Sequence, residues 1–265
     1  MLAVIRGAGD IASGIALRLF HSGFRIAMTE TEHPTAIRRT VCFSEAVRLG
    51  STEVEKVRAE LCRSTQDAEI CMLKGLIAVL IDENGSCLKS LLPGCVVDAR
   101  LAKRNIDTGM DDAPVVIGVG PGFTAGEDCH AVIETKRGHY LGRAIYAGSA
   151  AENTGIPGDI GGYTMERLLC APCEGFIRNG LEIGTKVTAG QICAFVGDTP
   201  ITAQIDGVLR GMLPDGTRVH AGMKSGDIDP RGIYEHCLCV SDKALAVGGG
   251  VLEAILHLSH AIEKP

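Results

Sequence analysis

The sequence contains no tryptophan, and its aromatic residues amount to 4% of 265 positions. Its cores must therefore be aliphatic, and the aromatic platforms that stack unpaired bases are excluded as a binding mode. Basic charge is also in deficit: 26 Lys and Arg stand against 32 Asp and Glu, a formal net charge of −6. No global positive field is available to recruit nucleic acid or an anionic membrane. No apolar run approaches the ~20 residues that span a bilayer. The opening Met1 to Gly7 lacks the charged start and long apolar stretch of a secretion signal. The cysteines number eleven, an odd count scattered through core-like sequence, which argues against a secreted disulfide framework. Together these absences imply a cytoplasmic protein with reduced, buried thiols.

What is present suffices for two cores, given the length and a hydrophobic content of 46%. The apolar run Leu2 to Ile5 leads into Arg6-Gly7-Ala8-Gly9-Asp10-Ile11-Ala12. Gly7, Gly9 and Ala12 fit the G-x-G-x-x-G/A turn, whose first glycine allows the bend. The second glycine admits a pyrophosphate to backbone amides, and the small third residue lets helix and strand pack closely. Ile11, Ile15 and Leu19 then make a helical stripe, and Gly23 marks its stop. A second strand, Phe24 to Thr29, ends at Glu30. That carboxylate lies about 20 residues beyond the glycines, where dinucleotide folds bind a ribose hydroxyl.

Further strand-length apolar runs are Leu76 to Ile81, Cys95 to Val97 and Val115 to Val119. The stretches between them, including Ser51 to Cys62 and the Asn84-Gly85 turn, read as helical or turn-rich. This alternation predicts an α/β domain with a Rossmann-like, mostly parallel sheet. Ligands of such sheets sit at the carboxyl ends of the strands. The candidate cofactor-binding residues there are Gly7, Gly9, Asp10, Ala12, Glu30 and Asp98, which is followed by Arg100. Gly120, Gly122 and Thr124 join them from a second glycine-rich loop, Gly118 to Gly126. That loop is either the other side of a ligand cradle or a structural turn. Arg38-Arg39 and Lys103-Arg104 supply phosphate contacts or a solvated face.

Ala131 to Thr135 and Tyr140 to Tyr146 read as a β-hairpin. Its turn region carries the catalytic candidates Glu134, Arg137 and His139, an acid, an anion clamp and a proton shuttle, although turns collect polar residues for structural reasons too. Gly148 to Gly162 is rich in Gly, Asn and Pro and marks a boundary or a lid. The expected division is a nucleotide-binding domain with its hairpin extension over 1–165, and a β module with a C-terminal helix over 166–265.

The back half is internally duplicated. Residues 174–190 and 206–222 align without gaps and match at Gly175/Gly207, Arg178/Arg210, Leu181/Leu213, Gly184/Gly216, Thr185/Thr217, Val187/Val219, Ala189/Ala221 and Gly190/Gly222. Short β segments punctuated by matched glycines imply two similar units folded against each other. The pattern resembles the lipoyl/biotinyl barrel-sandwich hybrid. Carrier domains of that family present a lysine between the halves, whereas Val196 to Ala203 contains none. The resemblance therefore implies a scaffold or docking surface and no swinging-arm carrier. Asp227 and Asp229 read as a capped turn or as ligands of a divalent cation. Cys170 and Cys173, with Cys237 and Cys239, read as reduced thiols, and no metal site is expected. Gly248-Gly249-Gly250 before the terminal apolar helix allows close packing or flexibility.

Several stretches together resemble the YqeB-type accessory proteins of selenium-dependent molybdenum hydroxylase systems. They are Ile5 to Gly14, Val97-Asp98-Ala99-Arg100, Val116 to Gly126, Glu134 to His139, Asn153 to Gly158 and Gly226 to Arg231. That family is distantly comparable to XdhC-type chaperones of the molybdenum cofactor. The resemblance implies maturation of a molybdenum hydroxylase and supplies no catalytic residue. A molybdopterin dinucleotide or NAD(P) would suit the Gly7–Gly9 turn, with a hydroxylase as protein partner. Two other functions fit the same residues: an NAD-dependent oxidoreductase using His139, and a non-enzymatic docking protein.

Overall fold

The structure is a computed structural model and describes residues 1–260; the last five positions of the back-half range lie outside the described residues. In chain order its first part comprises β1 (Leu2–Arg6), α1 (Asp10–His21), β2 (Arg25–Glu30), α2 (Glu45–Leu49), β3 (Ser51–Val54), β4 (Val57–Cys62), α3 (Thr65–Leu73) and β5 (Ile77–Ile81). There follow α4 (Leu88–Leu91), β6 (Cys95–Asp98), β7 (Val115–Val119), β8 (Thr124–Ala125), β9 (Ala131–Ile133), β10 (Ala144–Ile145) and β11 (Gly148–Ser149). The described residues form a nine-stranded sheet of order β10-β9-β7-β6-β1-β2-β5-β4-β3. Its strands run parallel from β9 to β4, and an antiparallel strand closes each edge. Every residue of β6 and β7 is buried, so these strands are continuously apolar because both faces are covered.

One stretch differs from its sequence reading. Ser51 to Cys62, expected as helical or turn-rich, is the hairpin β3–β4, with Val54 opposite Val57. Its two turn residues, Glu55 and Lys56, both have positive φ (47° and 67°). That is the backbone a tight two-residue hairpin needs, usually supplied by Asn-Gly. The middle hairpin is shorter than expected: only Ile133 and Val132 pair with Ala144 and Ile145, and 134–143 is loop.

The chain divides into two compact units, neither of them continuous. The first contains Met1–Pro34, Cys42–Thr154 and the chain from Val240; the second contains Thr35–Val41 and Gly155–Cys239. The final helix α5 (Asp242–Leu258), expected with the β module, thus belongs with the parallel sheet. Small residues explain why. A Cβ added to Gly14 would lie 2.6 Å from the Ala244 Cβ, and one on Gly248 would lie 2.9 Å from the Gly14 carbonyl oxygen. The axes of α1 and α5 approach more closely than larger side chains would permit. Gly250 lies against the Gly142 carbonyl, whereas Gly249 faces open space.

The second unit is built from β12 (Leu168–Cys170), β13 (Gly175–Arg178), β14 (Lys186–Val187), β15 (Ile192–Val196), β16 (Thr199–Thr202), β17 (Gly207–Met212), β18 (Arg218–Val219) and β19 (Lys224–Asp229). They form two four-stranded sheets, β12-β19-β17-β14 and β16-β15-β13-β18. Exchanging each strand for its repeat partner converts one order into the other, so each sheet takes two strands from each arm. The hydrogen bonds repeat as well. Gly184 donates to the Leu209 carbonyl and Gly216 to that of Ile177, both at 2.8 Å. Leu181 donates to Cys193 and Leu213 to Ser225, again both at 2.8 Å. The matched glycines share conformation, with φ of 99° and 82° at Gly184 and Gly216 and 85° and 79° at Gly190 and Gly222. Ile177, Val196, Leu209 and Ile228 are buried in the core between these strands.

The arms differ in charge. Arg178, in the first arm, is exposed and pairs with the exposed Asp198 at 3.1 Å. Its repeat partner Arg210 donates to Asp227 at 3.1 Å and Asp229 at 3.3 Å. Arg167 holds Asp227 at 2.8 Å, and Arg231 holds Asp229 at 2.6 Å. Asp227 and Asp229 are 1% and 0% exposed, and they serve as acceptors of a buried guanidinium cluster, a role neither sequence reading anticipated. Burial pushes the Asp229 carboxyl up, but bonds from Arg231 and the charge of Arg210 outweigh it and hold it well below the usual carboxylate range.

Candidate functional site

The glycine turn after β1 has the geometry its spacing implies. Gly7 has φ of 100°, which disfavours any L side chain, and a Cβ there would lie 3.0 Å from the Ala99 carbonyl oxygen. Gly9 is the N-cap of α1 and forms no side-chain cap. The amides of the first helical turn have no intrahelical acceptor by construction, so the end carries partial positive charge. Asp10 opens the helix and Ala12 is buried behind it.

Glu30 does not point away from this turn. One of its oxygens accepts the Ala8 amide at 3.0 Å and the other accepts the Thr31 amide at 2.9 Å. It is a brace for the glycine loop, and a ribose would have to share it. We expect Glu30→Ala to cost about 1–3 kcal/mol, the range for losing charge-assisted bonds to backbone donors. Chemical denaturation of the variant measures this, and unchanged stability would show that the brace is dispensable.

The crevice between the carboxyl ends of β1 and β6 is filled by an ionic network. Arg6, 1% exposed, donates to Thr108 and Asp107, both at 3.0 Å. Asp98 accepts from the Thr108 hydroxyl at 2.7 Å and from Arg100, which also donates to Asp107 at 2.7 Å. Asp98 is therefore engaged with protein groups. In the second glycine loop, Gly120 (φ 80°) donates to the Ile133 carbonyl. A Cβ on Gly122 (φ 106°) would lie 2.5 Å from the Arg104 backbone, and the Thr124 amide donates to Asp128 at 2.8 Å. Of the two readings of this loop, these contacts favour the structural turn.

The three catalytic candidates share a loop without forming an acid–base pair. Glu134 accepts the amides of Lys136 at 2.7 Å and Ala151 at 2.8 Å. Arg137 makes a two-pronged ion pair with Asp242, both arms 2.7 Å. His139 lies edge-on to Tyr140. Among the proposed phosphate contacts, Arg38 is buried and donates to the carbonyls of His236 and Cys239. Arg39 donates to the Met212 carbonyl, while Lys103 and Arg104 are exposed.

Lys243 was not singled out by the sequence; it is half-buried in the first turn of α5. It precedes Ala244, which packs on Gly14 one turn into α1, and it is electrostatically coupled to Asp10, the first residue of α1. Burial pulls its pKa down and Arg137 adds repulsion, against the opposing charges of Asp10, Glu134 and Asp242. Such a lysine is suited to contact an anion. The tertiary approach of α5 to α1 creates this position, and no local pattern announces it.

Among the described residues no group of three or more His, Cys, Asp and Glu side chains could hold a metal ion. Cys170 is exposed and Cys173 half-buried. No helix of the described residues is long and apolar enough to cross a membrane.

No family model matches the chain. It is 53% identical over 259 residues to a protein of Escherichia coli strain K12 described as uncharacterized protein YqeB. The match takes in 98% of this chain and 48% of that relative, so the chain spans about half the relative's length. A solved structure of an aspartoacylase family protein from Mesorhizobium loti covers 86% of this chain at 12% identity, with 84% of its own chain covered and a TM-score of 0.28. A likeness that low carries no argument about fold or activity.

Proposed function

We propose that this chain binds a nucleotide-bearing cofactor, a molybdopterin dinucleotide in preference to NAD(P), as an accessory protein in the maturation of a molybdenum hydroxylase. The observation that carries the binding is the Gly7–Gly9 turn opening on the N-terminus of α1, where Gly9 provides no side-chain cap, with Lys243 in electrostatic reach of Asp10. Backbone amides, a helix dipole and a nearby cation are the groups a pyrophosphate calls for. The strand–turn–helix unit and the central position of β1 in a mostly parallel sheet support a Rossmann-like reading of the first unit. The two interleaved sheets support a barrel-sandwich-hybrid-like reading of the second. The maturation role rests on the resemblance to YqeB-type accessory proteins; the relative bearing that name is itself described as uncharacterized.

Calorimetric titration of the purified chain with molybdopterin dinucleotide, NAD and NADP tests the proposal. The pterin dinucleotide is expected to bind most tightly, and Lys243→Met to weaken it by about tenfold, the loss of one ~1.4 kcal/mol anion contact. Gly9→Val is expected to weaken it further by placing a branched side chain in the path of the phosphates. Absence of affinity for all three ligands would overturn the reading, and NAD binding with hydride transfer would replace it with an oxidoreductase.

A further inference from the structure

A cavity of about 170 Å³ lies between β4 and α3, lined by Glu60, Leu61, Cys62, Asp67, Ile70, Cys71 and Lys74. Asp67, Ile70 and Lys74 are exposed while Cys62 and Cys71 are buried, so the cavity leads from the surface to two thiols. Cys62 ends β4 and Cys71 sits in the last turn of α3, which places them on facing elements. Their thiols donate to the carbonyls of Glu60 and Ile77, each at 3.6 Å, and each lies within electrostatic reach of the other.

We propose that Cys62 and Cys71 are a reactive thiol pair that a small peroxide converts reversibly into a disulfide. The two sulfurs have unequal roles. The interaction with Cys62 pulls the Cys71 pKa down against burial, with help from Lys74. The same interaction pushes Cys62 up, and burial adds to it. Cys71 thus ionises ahead of Cys62, an order suited to attack followed by resolution. Other buried thiols go the opposite way: burial pushes Cys87 and Cys95 up to about 12 and Cys129 to about 11. Those are inert core groups.

Size selects the oxidant. Hydrogen peroxide is comparable to one or two waters of about 30 Å³ each and fits the cavity, whereas a tripeptide disulfide does not. The Cys71 thiolate attacks one peroxide oxygen, the O–O bond breaks, and the departing hydroxide takes a proton and leaves as water. Cys71 is then a sulfenic acid. The Cys62 sulfur attacks the Cys71 sulfur, the S–O bond breaks, and the Cys62 proton leaves with the hydroxyl as a second water. Two electrons pass from the thiol pair to the peroxide.

The test treats the reduced full chain with equimolar hydrogen peroxide, blocks remaining thiols under denaturing conditions and maps the peptides by mass spectrometry. The expected product is a Cys62–Cys71 cross-link that a dithiol reductant reverses. Cys62→Ser should leave a sulfenic acid at Cys71 that dimedone traps, while Cys71→Ser should leave Cys62 unmodified. Circular dichroism establishes that each variant is folded. Recovery of Cys62 and Cys71 as blocked free thiols while Cys170, Cys173 or Cys239 oxidise would overturn the proposal. So would equal reactivity of the two single variants.

Discussion

Replacing Gly250 by alanine is expected to destabilise the first unit by about 3 kcal/mol, the upper part of the range for overpacking a tight contact. The new Cβ would collide with the Gly142 carbonyl oxygen and approach the Ile133 side chain to 3.1 Å. Neither neighbour can retreat easily. Gly142 has φ of 81° and lies against the Ala246 backbone, and Ile133 is fully buried in β9. The adjacent position should behave in the opposite sense. Gly249 is exposed within α5 with nothing near its absent side chain. Gly249→Ala is therefore expected to stabilise by about 0.5–1 kcal/mol, because alanine restricts the unfolded chain and favours helix. At roughly 2–4 °C per kcal/mol for a chain of this size, thermal unfolding of the two variants should move in opposite directions. Shifts of the same sign would show that α5 does not pack as described.

Asp229→Asn is expected to destabilise the second unit by about 3–5 kcal/mol, as losing one partner of a buried ion pair does. The change removes a negative charge between Arg210 and Arg231 at a site with 0% exposure. By contrast, Asp198→Asn should have no measurable effect, since Asp198 and its partner Arg178 are both exposed. The same group gives a pH dependence of defined sign. The folded-state pKa of Asp229 is depressed, so its stabilisation is fully present above the unfolded carboxylate value of about 3.9. It is lost as pH falls below that value toward the folded pKa. Urea unfolding between roughly pH 3 and pH 7 should therefore show the wild type losing its advantage over Asp229→Asn at the acid end. A constant difference across that range would contradict the assignment.

The central strands were legible because parallel strands covered on both faces are continuously apolar, as Val115 to Val119 is. The duplication was legible because matched glycines at positive φ mark matched turns. The hairpin at Ser51 to Cys62 was hidden because Glu55 and Lys56 adopt a turn conformation that their residue types do not advertise. The discontinuity of both units was hidden for another reason. Ile37 accepts a hydrogen bond from the Met212 amide, and Ala244 packs on Gly14, contacts between segments far apart in sequence. Lys243 gains its surroundings through that second contact. Asp227 and Asp229 resembled a capped turn locally, and only the tertiary approach of Arg167 and Arg210 distinguishes them. The glycine loop was legible as a shape, but its brace by Glu30 was not.

The pairing of α1 with α5 also orders events during synthesis. A ribosome extends the chain from its N-terminus at about 5–20 residues per second, and roughly 220 residues separate the two helices. For on the order of 10–45 seconds, a nascent α1 has no partner for the face occupied by Gly14. The strands of the second unit emerge entirely within that interval, and the strands they pair with all lie between residues 168 and 229. The sheet unit translated first is thus the one completed last, and until then its apolar helix face is open to chaperones.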